Sequence, residues 1–288
     1  SELEGRAQPT YDFPSGLERH VLDGAFNLAR KLEGDGFDSL SSDAHWVDAD
    51  TLIVERPSGV HRAFVSVDAA SGAHAVWWDQ PGTAYQSFVR PFGAAMLFTS
   101  IDAPPELIAW GDLAVDATAP SPVTEPTVLT EVNFDAGELA AQLRTAPVTW
   151  TAADGTALRG VVVHHADDAW PPAVPVWQAG GPGGQMALDY GASVEAPYSV
   201  LPHFGLPVLI ANAAGRTAHD RPFYDALAAG RNFGQVDIDQ LKAGVEHLVR
   251  AGVADPRRVG ITGCSYGGYV TLQSLRRHPD LYAAGNAQ

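Results

Sequence analysis

Up to about residue 140 the apolar positions come in short runs broken by turn residues. "TLIVERPSG" (51–59), "HRAFVSVDAASG" (61–72) and "HAVWWDQPG" (74–82) follow one another, and a second set runs from Ala94 to Leu113. β-Branched and aromatic residues, Val65 and Val67 among them, suit a pleated surface, whereas "DAASG" and "DQPG" are turn chemistry. Strands at this spacing, with no amphipathic helix between them, predict antiparallel sheets resembling propeller blades. Residues 114–135, with Pro120, Pro122 and Pro126, read as an extended connector.

After residue 140 the rhythm changes. "PVTWTAADGTALRGVVVHH" (147–165) reads as a hairpin turning at Asp154-Gly155. "VPVWQAGG" and "LPVLIANAAG" are almost wholly apolar and end in glycine, the signature of strands covered on both faces. Ile238, Leu241, Val245, Leu248 and Val249 recur at helical spacing, with Asp237 and Asp239 at the start, where the helix dipole favours anions, and Gly252 beyond the end. "RRVGITG" predicts a further buried strand, and "YGGYVTLQSLRRHP" a helix stopped by Pro279. Strand and helix in alternation imply a mostly parallel sheet with right-handed crossovers. The expected division is therefore a β-rich region and linker over 1–140 and an α/β unit over 141–288.

Composition narrows the function classes. Of 288 residues, 45% are hydrophobic and 18% charged, which is globular composition. The 34 acidic residues outnumber 18 basic ones, for a net charge of -16. A field of that sign repels phosphate backbones and anionic lipid, so neither nucleic acid nor a membrane surface is an expected partner. Cys264 is the single cysteine, which excludes an intrachain disulfide; it reads as a buried packing residue rather than a reactive thiol. The N-terminal "SELEGRAQPTYDF" has no basic segment leading into an apolar one, so the expected location is cytoplasmic, with a processed secreted form as the alternative. "HHADD" (164–168) reads as a solvated strand end, because His164 and His165 are adjacent and point opposite ways; no metal or organic cofactor is expected. Trp77 and Trp78 read as sheet packing.

The chemistry concentrates in "RRVGITGCSYGGY" (257–269). Gly263-Cys264-Ser265-Tyr266-Gly267 satisfies the G-x-S-x-G nucleophile elbow, and Gly268 adds a further glycine. In such a turn the serine occupies a strained conformation that lifts its hydroxyl above the sheet. The residues two before and two after it crowd each other, which calls for glycine at both. The N–H of Tyr266 then faces a developing oxyanion, reinforced by the N-terminus of the following helix. "AGGPGGQ" (179–185) lacks the spacing of a phosphate loop, but a glycine-rich loop after the third strand of an α/β-hydrolase sheet supplies the second oxyanion donor; Gly181 is the candidate. Ser265 as a capping serine in an ordinary strand-to-helix turn is the plainer alternative.

"VTWTAADGTALRGVVV" (148–163), "AGGPGGQ" (179–185) and the stretch from Val236 to Gly285 together resemble the prolyl oligopeptidase family of serine peptidases, on its acylaminoacyl-peptidase and dipeptidyl-peptidase side. The resemblance implies an α/β-hydrolase catalytic domain capped by a β-propeller that admits short peptides. It puts Ser265 on the nucleophile, with Tyr266 and Gly181 on the oxyanion donors. Two positions depart from the pattern: Ala179 replaces the histidine of His-Gly-Gly-Pro, and "NAAGRTAHD" (212–220) replaces Asn-Tyr-Arg-Gly.

Set against the family, the chain reads as truncated at both ends, with two or three blades of a propeller and about five strands of the hydrolase sheet. The triad order Ser, Asp, His places both partners after Ser265. Only His278 among the histidines lies there, and it reads as a helix C-terminal cap. The expected base and orienter therefore belong to the remainder of the polypeptide or to a complementary chain. On this reading the strand carrying Ser265 is a bare sheet edge. The expected function is a serine hydrolase, a peptidase acting on short peptides through an acyl-enzyme on Ser265. The alternatives are an esterase, amidase or cyclase on the same fold, and a non-catalytic scaffold that lacks the Asp and His.

Overall fold

A computed structural model describes residues 20–22, 28–31, 44–90, 93–111, 113, 115, 125–167, 174–217, 221–229 and 232–288. The N-terminal stretch to residue 19, most of the first part of the proposed connector, Asp168 and residues 218–220 lie outside them.

The β-rich part begins with a ribbon of β1 (His20–Leu22) and β2 (Leu28–Lys31). Two four-stranded antiparallel sheets follow. The first joins β3 (Ala44–Trp46), β4 (Thr51–Ser58), β5 (His61–Asp68) and β6 (His74–Asp79) in chain order. The second joins β7 (Thr83–Arg90), β8 (Gly93–Ser100), β9 (Ala103–Trp110) and β10 (Thr127–Val128) in the same manner. The turn in "DAASG" closes because the Asp68 carboxylate accepts the Ser71 N–H at 2.6 Å while Gly72, at φ 74°, donates to the Asp68 carbonyl. Trp77 and Trp78 pack as expected: with Phe64, Met96 and Trp110 they form one aromatic core shared by the two sheets, Trp78 and Trp110 meeting edge-on at 5.3 Å.

The connector is not extended throughout. Glu106 of β9 accepts the Asn133 N–H at 2.8 Å and the Val132 N–H at 3.2 Å, and α1 (Phe134–Ala140) starts directly behind them. A carboxylate gathering backbone donors at that point ties the end of the connector to β9 and ends the extended run.

Beyond α1 lies a six-stranded sheet. Its strands are β11 (Leu143–Thr151), β12 (Ala157–His165), β13 (Val174–Gln178), β14 (Val208–Ala211), β15 (Val259–Gly263) and β16 (Ala284–Ala287). They lie side by side in the order β11-β12-β14-β13-β15-β16. β11 and β12 form the predicted antiparallel hairpin around Gly155, and β14, β13, β15 and β16 run parallel. Two features correct the sequence reading. The sheet has six strands rather than about five, and β15 is not its edge, because β16 pairs alongside it from Gly260 to Gly263.

The short helix α2 (Arg221–Asp225) precedes α3 (Val236–Arg250), and α4 (Tyr266–Arg277) follows β15. The stripe read off the sequence faces inward: Ile238, Leu241, Val245 and Leu248 are buried against Val176, Leu209 and Ile261 of the sheet, and Val270 of α4 joins the same core. The other face of the sheet, through Val161, Trp177 and Ile210, packs on Met186, Leu188 and Tyr198 from the β13–β14 connection. Into that connection the β4–β5 turn inserts: Gly59 O accepts from Gln185 at 2.9 Å and from Asn212 at 3.0 Å, and Leu188 N–H donates to Val60 O at 2.6 Å.

Chain order reverses around β13, since β14 lies on one side of it and β15 on the other. In parallel sheets the crevice outside the carboxyl ends of such strands is where ligands bind. Two loops meet there: the glycine-rich turn after β13 and the serine turn after β15.

Candidate active site

Ser265 sits between β15 and α4 at φ 55°, ψ -115°; among the described residues it is the one non-glycine with positive φ. A left-handed non-glycine backbone costs roughly 1–3 kcal/mol and persists only where its surroundings impose it. Here the surroundings are the three glycines. A methyl group on Gly263 would stand 2.4 Å from Gln178 O and 2.7 Å from the Gly267 carbonyl, so the crowding predicted across the serine is present. On Gly267 it would reach Gln178 O at 2.0 Å, and on Gly268 Gln288 O at 2.5 Å. Backbone hydrogen bonds close the turn, from Gly267 N–H to Cys264 O at 2.8 Å and from Tyr269 N–H to Ser265 O at 3.0 Å. Ser265 itself is exposed.

Tyr266 opens α4, so its N–H belongs to the first turn, which has no intrahelical acceptor and carries the positive end of the helix dipole. Its side chain turns inward. The hydroxyl donates to Asp237 Oδ2 at 2.8 Å, and burial together with that carboxylate pushes the phenol well above its ordinary range. Asp237 is 4% exposed, and burial raises its carboxyl above the usual carboxylate value. The sequence suggested only a helix-dipole role for this aspartate; the structure makes it the anchor of Tyr266, the residue next to Ser265. Cys264 is half-buried rather than buried, because it lies at the strand end where the sheet gives way to the turn.

The loop after β13 runs against the serine. A methyl on Gly180 would stand 3.1 Å from Ser265 Cβ, so the two turns touch. Gly181 is exposed, with φ 55°. Behind the loop lies Arg216, a residue the sequence reading passed over inside the altered 212–220 segment. It is 3% exposed and donates to Ala179 O at 2.8 Å, Gly180 O at 3.2 Å, Gly181 O at 2.7 Å and Gly184 O at 3.1 Å. Burial lowers its pKa to about 10, which leaves the guanidinium charged at neutral pH. A buried arginine is indistinguishable in sequence from a surface one; the hint was the glycine-rich loop, whose carbonyls need a donor.

The remaining candidates fall away from this crevice. His278 caps α4 and faces Asp239 at 3.6 Å. His164 bonds the His165 carbonyl, and the His165 ring meets His203 edge-on at 5.4 Å. A separate cavity of about 300 Å³, lined by Arg62, Tyr85, Gln185, Asp189 and Tyr198 among others, lies where β7 meets the β13–β14 connection; Tyr85 and Tyr198 both donate to Asp189 there. Ser265 and the loop glycines 180 and 181 do not line it.

Comparison with known proteins matches the model of the prolyl oligopeptidase family to residues 193–288, the segment holding Arg216, Asp237 and the whole serine turn. Dipeptidyl aminopeptidase BIII of Pseudoxanthomonas mexicana is 35% identical over 106 residues, 37% of this chain and 14% of that protein. The acylamino-acid-releasing enzyme of Arabidopsis thaliana is 27% identical over 96 residues, 33% of this chain and 12% of that one. Among solved structures, the acylaminoacyl peptidase of Pyrococcus horikoshii superposes over 86% of this chain with a TM-score of 0.67 at 20% identity. An acylaminoacyl peptidase in complex with Z-Gly-Gly-Phe-chloromethyl ketone superposes over 88% with a TM-score of 0.70, also at 20% identity. This chain spans 37% and 38% of the length of those two. The likeness is one of fold: propeller-type sheets followed by an α/β-hydrolase sheet.

Proposed function

We propose that this chain carries the nucleophile and oxyanion hole of a serine peptidase that cleaves short peptides, with residues 141–288 as the catalytic part and 1–140 as the β-rich part that limits access. The observation that carries the reading is the positive-φ Ser265 at the carboxyl end of β15, in contact with the glycine turn after β13. An ordinary capping serine has no need of that strain, and its side chain bonds the helix N-terminus; Ser265 makes no such cap bond.

In this mechanism Ser265 Oγ attacks the scissile carbonyl carbon while its proton passes to a histidine, itself oriented by an aspartate. The carbonyl oxygen becomes an oxyanion held by the N–H groups of Tyr266 and Gly181, with the dipole of α4 adding to the field. Collapse expels the amine, which takes the proton from the histidine, and water then hydrolyses the acyl-enzyme by the same steps. Asp237 is committed to Tyr266, and His278 and His203 are placed elsewhere. The His–Asp pair is assigned to sequence outside these 288 residues, in keeping with longer relatives.

The test is hydrolysis by the full-length protein of dipeptidyl and acyl-aminoacyl anilides beside simple esters. Anilide cleavage that falls by roughly 10⁴-fold or more in Ser265→Ala is the expected result. Cleavage unchanged by that substitution would overturn the assignment of Ser265. Cleavage of esters alone would replace the peptidase with an esterase.

A further inference from the structure

We propose that Arg216 is a positioning residue that sets the direction of the Gly181 N–H; the inference rests on the hydrolase reading above. The segment from Ala179 to Gly184 contains four glycines and no side chain able to form a hydrogen bond. Such a segment has wide backbone freedom and cannot hold a peptide plane by itself. Arg216 supplies what it lacks. Its Nη1 binds Gly180 O, Gly181 O and Gly184 O, its Nη2 binds Ala179 O, and the neighbouring Thr217 N–H binds Gly183 O at 3.2 Å.

The consequence follows from peptide geometry. Gly180 C=O and Gly181 N–H belong to one planar trans unit and point in opposite directions. A guanidinium that draws the Gly180 carbonyl inward therefore turns the Gly181 N–H outward, on the side of the loop away from Arg216. Rotating that plane to hide the N–H would remove one of the three carbonyls that share the two Nη1 protons of a buried cation and turn an N–H toward it instead. The planar fork matters as much as the charge, because one side chain serves four carbonyls from two nitrogens; a lysine ammonium is a point donor with three protons and a different reach. Asp237, which holds Tyr266, also lies close enough to favour the charged guanidinium. Arg216 thus braces the loop of one proposed oxyanion donor, and Asp237 the residue that carries the other.

The test is the kinetics of Ser265 labelling by a fluorophosphonate in the full-length protein, resolved into apparent probe affinity and maximal rate. Misplacing a catalytic donor by about 1 Å costs on the order of 10²-fold. Arg216→Lys is expected to lower the maximal rate by roughly that factor, with apparent affinity changed less than about threefold. In Arg216→Ala, added guanidinium ion is expected to restore the rate at least tenfold, a response that general destabilisation would not give. If Arg216→Ala fails to fold, the lysine variant, checked by circular dichroism, carries the test. Wild-type rate in either folded variant, or a loss confined to affinity, overturns the proposal. Failure of the wild type to label instead overturns the hydrolase reading, and this inference falls with it.

Discussion

Replacing Gly267 with alanine probes the contact on which both halves of the site depend. The added methyl would stand 2.0 Å from Gln178 O, 2.7 Å from Gln178 C and 3.0 Å from Ala179 O. Ordinary contact begins near 3.4 Å, so α4 and the end of β13 must separate by more than 1 Å. No flexible side chain can absorb this, since every atom met is backbone. β13 is held between β14 and β15, and α4 is anchored by buried Val270 and by the Thr271 hydroxyl on Gly267 O at 2.8 Å. Overpacking of this kind costs about 1–3 kcal/mol of stability. The same displacement separates Tyr266 from the loop carrying Gly181, which is expected to slow fluorophosphonate labelling of Ser265 by roughly 10²-fold. Gly155→Ala is the control: Gly155 has φ 87° and nothing within 4 Å of the added methyl, so it bears only left-handed strain of about 1–2 kcal/mol. Chemical denaturation and labelling kinetics are measured on both. Comparable losses of stability with slowed labelling in Gly267→Ala alone are expected. Wild-type labelling by Gly267→Ala would refute the reasoning.

A second glycine pits helix propensity against packing. In the middle of α3, Gly244→Ala gains about 1 kcal/mol of intrinsic propensity. Its methyl, however, would meet the Trp150 ring at 2.9 Å, and that ring is fixed by its Nε1–H bond to Gln240 O at 3.0 Å and by Gly160 on another side. With overpacking at about 1–3 kcal/mol, a net loss of about 1 kcal/mol in urea unfolding is expected, and a gain would show that Trp150 yields. For pH, burial and the neighbouring His165 hold His203 below the ordinary histidine value. The unfolded chain therefore takes up this proton first, so stability is full above about pH 6.5 and declines as pH falls toward the depressed folded value. Thermal midpoints measured from pH 8 to 5 should fall less steeply in His203→Gln; an unchanged slope would remove His203 as a contributor.

Much of the architecture was legible because its signals are local. Runs such as "VLIA" and "VGITG" are wholly or almost wholly apolar and short, as strands covered on both faces are, and the α3 stripe repeats at helical spacing. The serine turn was legible for a steric reason: two glycines flank a residue that must stand above the sheet, and the contacts at Gly263 and Gly267 bear this out. Asp237 and Arg216 were illegible for the opposite reason. Their importance comes from partners 29 and 35 residues away in the chain, Tyr266 and Gly181. Burial turned a helix-start aspartate and a loop arginine into site supports, and burial of a charge is a tertiary property. "LYAAGNAQ" resembles the entry to a sixth strand, but "AGNA" has no β-branched residue to announce a full pairing, and its four residues nevertheless run along β15 from Gly260 to Gly263.

On the proposed function Ser265 is an activated nucleophile. Mass spectrometry of the full-length protein after fluorophosphonate treatment, at a pH where histidine is neutral, addresses it directly. One adduct is expected, on the peptide containing Gly263-Cys264-Ser265-Tyr266, and none in Ser265→Ala. An unmodified wild-type protein, or an adduct that survives that substitution, would contradict it.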